Sequence, residues 1–141
     1  MDDTPEQPCP FCAIAAGTAP AHRVYADCDV TAFLDKNPIN SGHLLVVPNR
    51  HVADVYDLDQ ETFVQVMLVV RRLAAAVKSV THPRKVGLVV AGFDVPHAHV
   101  HLIPMHEYHD ITSKKMLEGT RTRPSDGDLA ASAEAMIAAL A

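Results

Sequence analysis

An α+β fold is predicted here: a mainly antiparallel five-stranded sheet with one long packed helix and a C-terminal helical segment. Three features predict it. Short strand-like runs bounded by turn residues fill the chain before residue 50, a long amphipathic periodicity occupies residues 58–80, and two further apolar runs follow it. The order is β-β-β-α-β-β.

Residues 9–17 read as a short helix closed by Gly17 at the position after its last turn. Residues 24–26 and 30–34 form a hairpin across Asp27-Cys28-Asp29, because aspartate bonds its own backbone in turns. The loop at residues 35–42 is polar and rich in turn formers, and His43-Leu44-Leu45-Val46-Val47 follows as a buried strand ending at Pro48. From residue 58, Leu58, Phe63, Val66, Met67, Val70, Leu73, Ala74 and Val77 recur at helical spacing, with Asp57 or Asp59 as the cap. Residues 86–91 and 97–103 supply the last two strands. Residues 106–128 are polar and loop-like, with a helical turn expected at residues 113–118. Residues 129–141 form a terminal helix with Leu129, Met136, Ile137 and Leu140 as its packing residues.

The chain has 141 residues, enough for one domain that buries roughly two-thirds of its unfolded surface. It is 48% hydrophobic and 21% charged, with a mean hydropathy of +0.05, which excludes wholesale disorder. No apolar run reaches the ~18 residues of a membrane span, and the first eight residues are acidic and polar rather than signal-like, so no membrane partner and a cytoplasmic location are expected. A formal charge of −5 argues against binding long nucleic acid but allows a small phosphorylated ligand.

The chemistry concentrates in Val95-Pro96-His97-Ala98-His99-Val100-His101-Leu102-Ile103. On a strand, His97, His99 and His101 project from one face, where imidazoles can bind metal, attack phosphorus or shuttle protons. Neighbours two apart on a strand have Cα atoms about 7 Å apart, and His97 and His101 about 13 Å, so one ion takes two of the three at most without a bend. Three histidines in an apolar strand are hard to bury, since each ring must satisfy two nitrogens. Cys9 and Cys12 form a Cys-x-x-Cys that is half a zinc site, a redox pair or an incidental reduced pair. A redox pair belongs between a strand and a helix, whereas this one has no apolar strand before it. Cys28 reads as a free thiol.

His97-Ala98-His99-Val100-His101-Leu102-Ile103 resembles the alternating signature of the histidine triad (HIT) family of nucleotide hydrolases and transferases. So do Phe33-Leu34-Asp35, the block from Gly42-His43 through Pro48-Asn49-Arg50-His51, and Cys9-Pro10-Phe11-Cys12. The resemblance spans residues 9–105, leaving 106–141 as an extension packed on the domain or on a dimer partner. It implies His99 as the nucleophile at the α-phosphorus of a purine nucleoside 5′-monophosphate conjugate, through a covalent nucleotidyl-histidine. It further implies His101 and His43 against phosphate oxygens or the leaving group, and Asp35 against the ribose hydroxyls. Members with this Cys-x-x-Cys bind structural zinc, here through Cys9, Cys12, His51 and His97. The resemblance also implies a homodimer formed through the long helix and a neighbouring strand.

One segment departs from the family pattern. Ala91-Gly92-Phe93-Asp94-Val95-Pro96 is short, lacks the glutamine and serine expected ahead of the triad, and has alanine where asparagine is expected. The leaving-group side is therefore altered. A dinucleoside polyphosphate hydrolase or phosphorylase, a nucleotidyl transferase, and a non-catalytic zinc-containing nucleotide-binding module are the alternatives to a phosphoramidase. His106 and His109 read as exposed loop residues.

Overall fold

The computed structural model describes residues 9–112 and 123–141. Five strands, β1 (Arg23–Ala26), β2 (Val30–Leu34), β3 (Leu44–Pro48), β4 (Lys85–Val89) and β5 (Val100–Met105), form one antiparallel sheet in the order β1-β2-β3-β5-β4. The α+β prediction holds, with three α-helices among the described residues: α1 (Pro10–Ala16), α2 (Gln60–Thr81) and α3 (Asp126–Leu140).

Strand parity divides the sheet into two faces. Val30, Ala32, Leu34, Leu44, Val46, Val100 and Leu102 pack with Val66, Val70, Leu73 and Val77 of α2 and with Leu129 and Met136 of α3 in the main core. The opposite parity puts Phe33, Leu45 and Val47 against Phe11 of α1 in a smaller cluster. His101 lies in register with Leu45 and with Val89, so it belongs to the face that α1 covers. Asp35 and His43 share that parity at the adjoining ends of β2 and β3, where the Asp35 amide donates to the His43 carbonyl at 2.9 Å.

Local chemistry sets the element ends. Asp27 Oδ1 accepts the amides of Asp29 and Val30 at 2.7 and 2.8 Å, the aspartate turn that joins β1 to β2. Cys28 is a free, exposed thiol. Asp59 caps α2 by accepting the Thr62 amide, and Gly17 closes α1 in the left-handed conformation. Gly42 has φ 98°, and a Cβ there would stand 2.6 Å from the Thr81 methyl, so the approach to His43 admits only glycine.

Four expectations are corrected. β5 begins at Val100 rather than at residue 97, because the His97 and Ala98 amides go to the Val95 and Val52 carbonyls instead of to a neighbouring strand. β4 ends at Val89 rather than at residue 91. The terminal helix starts at Asp126, inside the segment read as loop, where Ser125 and Asp128 form a reciprocal capping box. Phe63 and Ile137 are exposed on their helices, whereas Leu129 and Met136 are buried. The helical turn expected at residues 113–118 lies outside the described residues.

Candidate active site and metal cluster

Two groups of histidines stand on the α1 face, and backbone hydrogen bonds give them opposite chemical characters. The first unites both ends of the chain's signature. Cys9 is the N-cap of α1, and its Sγ accepts the Cys12 amide at 3.4 Å, so the first turn of the helix aims both sulfurs one way. His97 Nδ1 lies 3.3 Å from Cys9 Sγ and 3.4 Å from Cys12 Sγ. His51 Nδ1 lies 3.3 Å from both Cys12 Sγ and His97 Nδ1.

Tetrahedral zinc bonded at about 2.3 Å to sulfur and 2.0–2.1 Å to nitrogen requires ligand edges of roughly 3.4–3.8 Å. The four atoms all lie within 4.8 Å of one another, and their closest separations approach those edges. The protonation pattern fits as well. His97 Nε2 is 2.7 Å from the Pro48 carbonyl, which can only accept, so the proton sits on Nε2 and Nδ1 presents its lone pair to the cluster. Burial pulls the His97 pKa below the ordinary imidazole value, favouring the neutral ligand form. Burial, reinforced by Cys9, pushes the Cys12 thiol up, so the cluster without an ion favours the protonated sulfur.

The second group is Asp35, His43 and His101, whose donor atoms also lie within 4.8 Å of one another. Here the backbone disfavours a metal. The Ile39 amide donates to His43 Nδ1 at 3.1 Å, which leaves the proton of neutral His43 on Nε2. That Nε2–H faces His101 Nδ1 at 2.9 Å and Asp35 Oδ2 at 3.6 Å. With Nδ1 accepting, neutral His101 carries its own proton on Nε2. This chain of bonds makes His101 a hydrogen-bond donor. Asp35 also closes a local turn by accepting the Asn37 amide at 2.8 Å.

His99 stands between the two groups. Its Nδ1 is 2.6 Å from the His97 carbonyl, so Nδ1 donates and Nε2 holds a free lone pair. Its ring centroid is 5.0 Å from that of His101. Phe11, which the sequence reading passed over, meets the rings of His99 and His97 edge-on at 5.1 and 5.9 Å and that of Phe33 at 5.5 Å. Its place between the two cysteines was the available signal.

The structure thus brings Cys9, Cys12, His51 and His97 together, and separately Asp35, His43 and His101, with His99 adjoining the latter. Three of these histidines, 43, 97 and 99, are buried, contrary to the expectation that such rings resist burial; each is satisfied by a main-chain group. His106 and His109 are exposed, as expected. Beside His99 opens a cleft walled by residues 53–56 and 90–92. It includes part of the short segment that departs from the family pattern.

An antiparallel α+β sheet with His97 and His99 leading into β5 and His101 on it defines a histidine triad architecture. The HIT domain profile matches residues 16–108, and the chain belongs to the HIT family. It is 37% identical over 102 residues to an uncharacterized HIT-like protein of Mycobacterium tuberculosis, covering 69% of this chain and 71% of that one. A zinc-bound histidine triad family protein from Mycobacterium smegmatis superposes with TM-score 0.76 at 31% identity, covering 94% of this chain and 92% of that one. A hypothetical histidine triad nucleotide-binding protein from Sulfolobus tokodaii superposes with TM-score 0.77 at 25% identity, covering 94% and 91%.

Proposed function

We propose that this protein is a nucleotide-binding phosphohydrolase acting at the α-phosphate of a purine nucleoside 5′-monophosphate conjugate. The observation that carries this reading is the 2.6 Å bond from His99 Nδ1 to the His97 carbonyl, which places the proton of the neutral ring on Nδ1 and turns the Nε2 lone pair into the nucleophile. Nε2 attacks phosphorus, and the bond from phosphorus to the leaving group breaks. The departing group keeps the electron pair and takes its proton from solvent. Water then attacks the same phosphorus, releasing the nucleoside monophosphate and restoring His99.

His101, held as an Nε2–H donor by His43, stabilises the charge that grows on the phosphate oxygens. Asp35 accepts from the ribose hydroxyls. Cys9, Cys12, His51 and His97 hold one zinc ion, which closes a tetrahedral site and supplies structural stability. The zinc-bound M. smegmatis relative supports that assignment. Residues 9–105 form the catalytic domain and 106–141 its extension, in a cytoplasmic homodimer.

The test is incubation with adenosine 5′-phosphoramidate labelled at phosphorus, in parallel with dinucleoside polyphosphates. Wild type is expected to release AMP and to carry acid-labile label on histidine after quenching, and His99→Ala to do neither. Turnover that survives His99→Ala, or no turnover of any of these conjugates, overturns the reading.

A further inference from the structure

The cleft beside His99 has a charge character of its own. His99 is buried at its inner end, while Tyr56, 80% exposed, and Val90 stand toward its mouth. Its lining is otherwise small or apolar, and Asp54 is the one acidic or basic side chain that joins His99 there among the described residues. Asp54 occupies the N-cap position of the single-turn 3-10 helix Val55–Asp57, where an aspartate ordinarily accepts a backbone amide, yet its side chain makes no capping bond. Its negative charge is the first cause holding the neighbouring Tyr56 phenol above its ordinary pKa. Among the described residues no lysine, arginine or histidine forms an ion pair with it.

In-line displacement sends the departing group to the side opposite His99 Nε2, so a phosphate seated at the inner end of this cleft would release it outward past Asp54. A leaving group made of further phosphates would carry several negative charges past a carboxylate with no cation in the described lining to offset them. One bearing an ammonium would meet the opposite charge, with the Tyr56 ring beside it.

We infer that this cleft receives the leaving group and that Asp54 sets its charge, favouring a conjugate whose leaving group carries a positive charge beyond the scissile bond and disfavouring a polyanionic one. The inference rests on the proposal that His99 attacks the α-phosphorus. It separates that proposal from the polyphosphate-cleaving alternative.

Three adenosine 5′-phosphoramidates of equal-length alkylamines, ending in an ammonium, a hydroxyl or a carboxylate, share one scissile bond and differ only in tail charge. For wild type at low salt, kcat/KM is expected to fall in that order, with about fivefold per step, the size of one half-exposed charge pair. The spread is expected to shrink at high salt and to collapse in Asp54→Asn, which keeps the side chain's shape. Equal kcat/KM for the three in wild type, or an undiminished spread in Asp54→Asn, overturns the role of Asp54 while turnover itself leaves the parent reading standing. If wild type turns over none of them, the parent reading fails, and dissociation constants from calorimetry decide the charge preference. A charge order abolished by Asp54→Asn supports the filter, and equal affinities overturn it.

Discussion

The His97 carbonyl accepts a 2.6 Å hydrogen bond from His99 Nδ1, so one peptide joins the cysteine-histidine cluster to the proposed nucleophile. The His97 ring is held on one side by the Pro48 carbonyl and on the other by Cys9, Cys12 and His51. Anything that frees that ring also loosens the carbonyl fixing the tautomer of His99.

His97→Ala is therefore expected to lose zinc and activity together. Elemental analysis after chelator-free purification should fall from near one zinc per chain to near none, with a lower Tm. His51→Ala removes the exposed ligand but keeps both anchors of His97, so zinc should weaken while a larger share of kcat survives. Equal loss of kcat in the two variants, at matched zinc content, would count against the link through the His97 peptide.

His43 tests the proton arrangement. Its ring is fully buried and takes the Ile39 amide on one nitrogen while presenting Nε2–H to His101 on the other. His43→Ala strands that amide, at a cost of about 1–3 kcal/mol, and lets His101 shift its proton to the nitrogen facing away from substrate. A fall in kcat of roughly 10²–10³-fold is expected, the scale of losing one oriented donor, with zinc content unchanged. Urea unfolding and single-turnover kinetics measure the two effects separately.

How much of this was legible in the sequence follows from which groups make each bond. Strand alternation put His97, His99 and His101 on one face, and the family motifs named Asp35, His43 and all four members of the cysteine-histidine cluster. What fixes the tautomers was not legible, because the Pro48 and His97 carbonyls and the Ile39 amide are main-chain groups that any residue provides. The β5 start was misread because alternation continues through His97 and Ala98, whose amides bond to Val95 and Val52 outside the ladder. Ser125-x-x-Asp128 was a readable helix start; low polarity beyond residue 129 drew attention past it.

Gly42→Ala separates positioning from metal binding. With φ at 98° and the Thr81 methyl 2.6 Å from the new Cβ, the substitution strains the backbone and pushes on α2 where the chain enters β3. The expected outcome is a stability loss of about 1–3 kcal/mol and reduced kcat through His43, while zinc stoichiometry stays at that of wild type. Zinc loss in a still-folded variant would show that the two clusters are not separable in this way.

Leu73→Ala probes the core on the other face of the sheet. Leu73 is fully buried between α2 and the strands, so truncation leaves a cavity and should cost about 2–5 kcal/mol by chemical denaturation. Since parity assigns the site to the opposite face, kcat at a temperature where the variant remains folded should stay close to wild type.

Assembly gives the last test. β4 is the terminal strand of the sheet and pairs only with β5 among the described residues, so its outer edge is left to bond elsewhere. It carries Leu88 at 53% exposure with Val90 just beyond it, and α2 presents Phe63, Val64 and Leu68 outward. Natural edges are guarded by charge, proline or cover, and here Lys85 is the only charge on the strand. A homodimer that joins β4 edges and covers the exposed residues of α2 would bury both features. Light scattering of wild type should give twice the monomer mass of 15.3 kDa. Leu88→Lys places like charges near one another across such an edge and should shift the protein toward monomer without loss of zinc. A monomeric wild type at micromolar concentration, or a Leu88→Lys variant as dimeric as wild type, would rule out this edge as the interface.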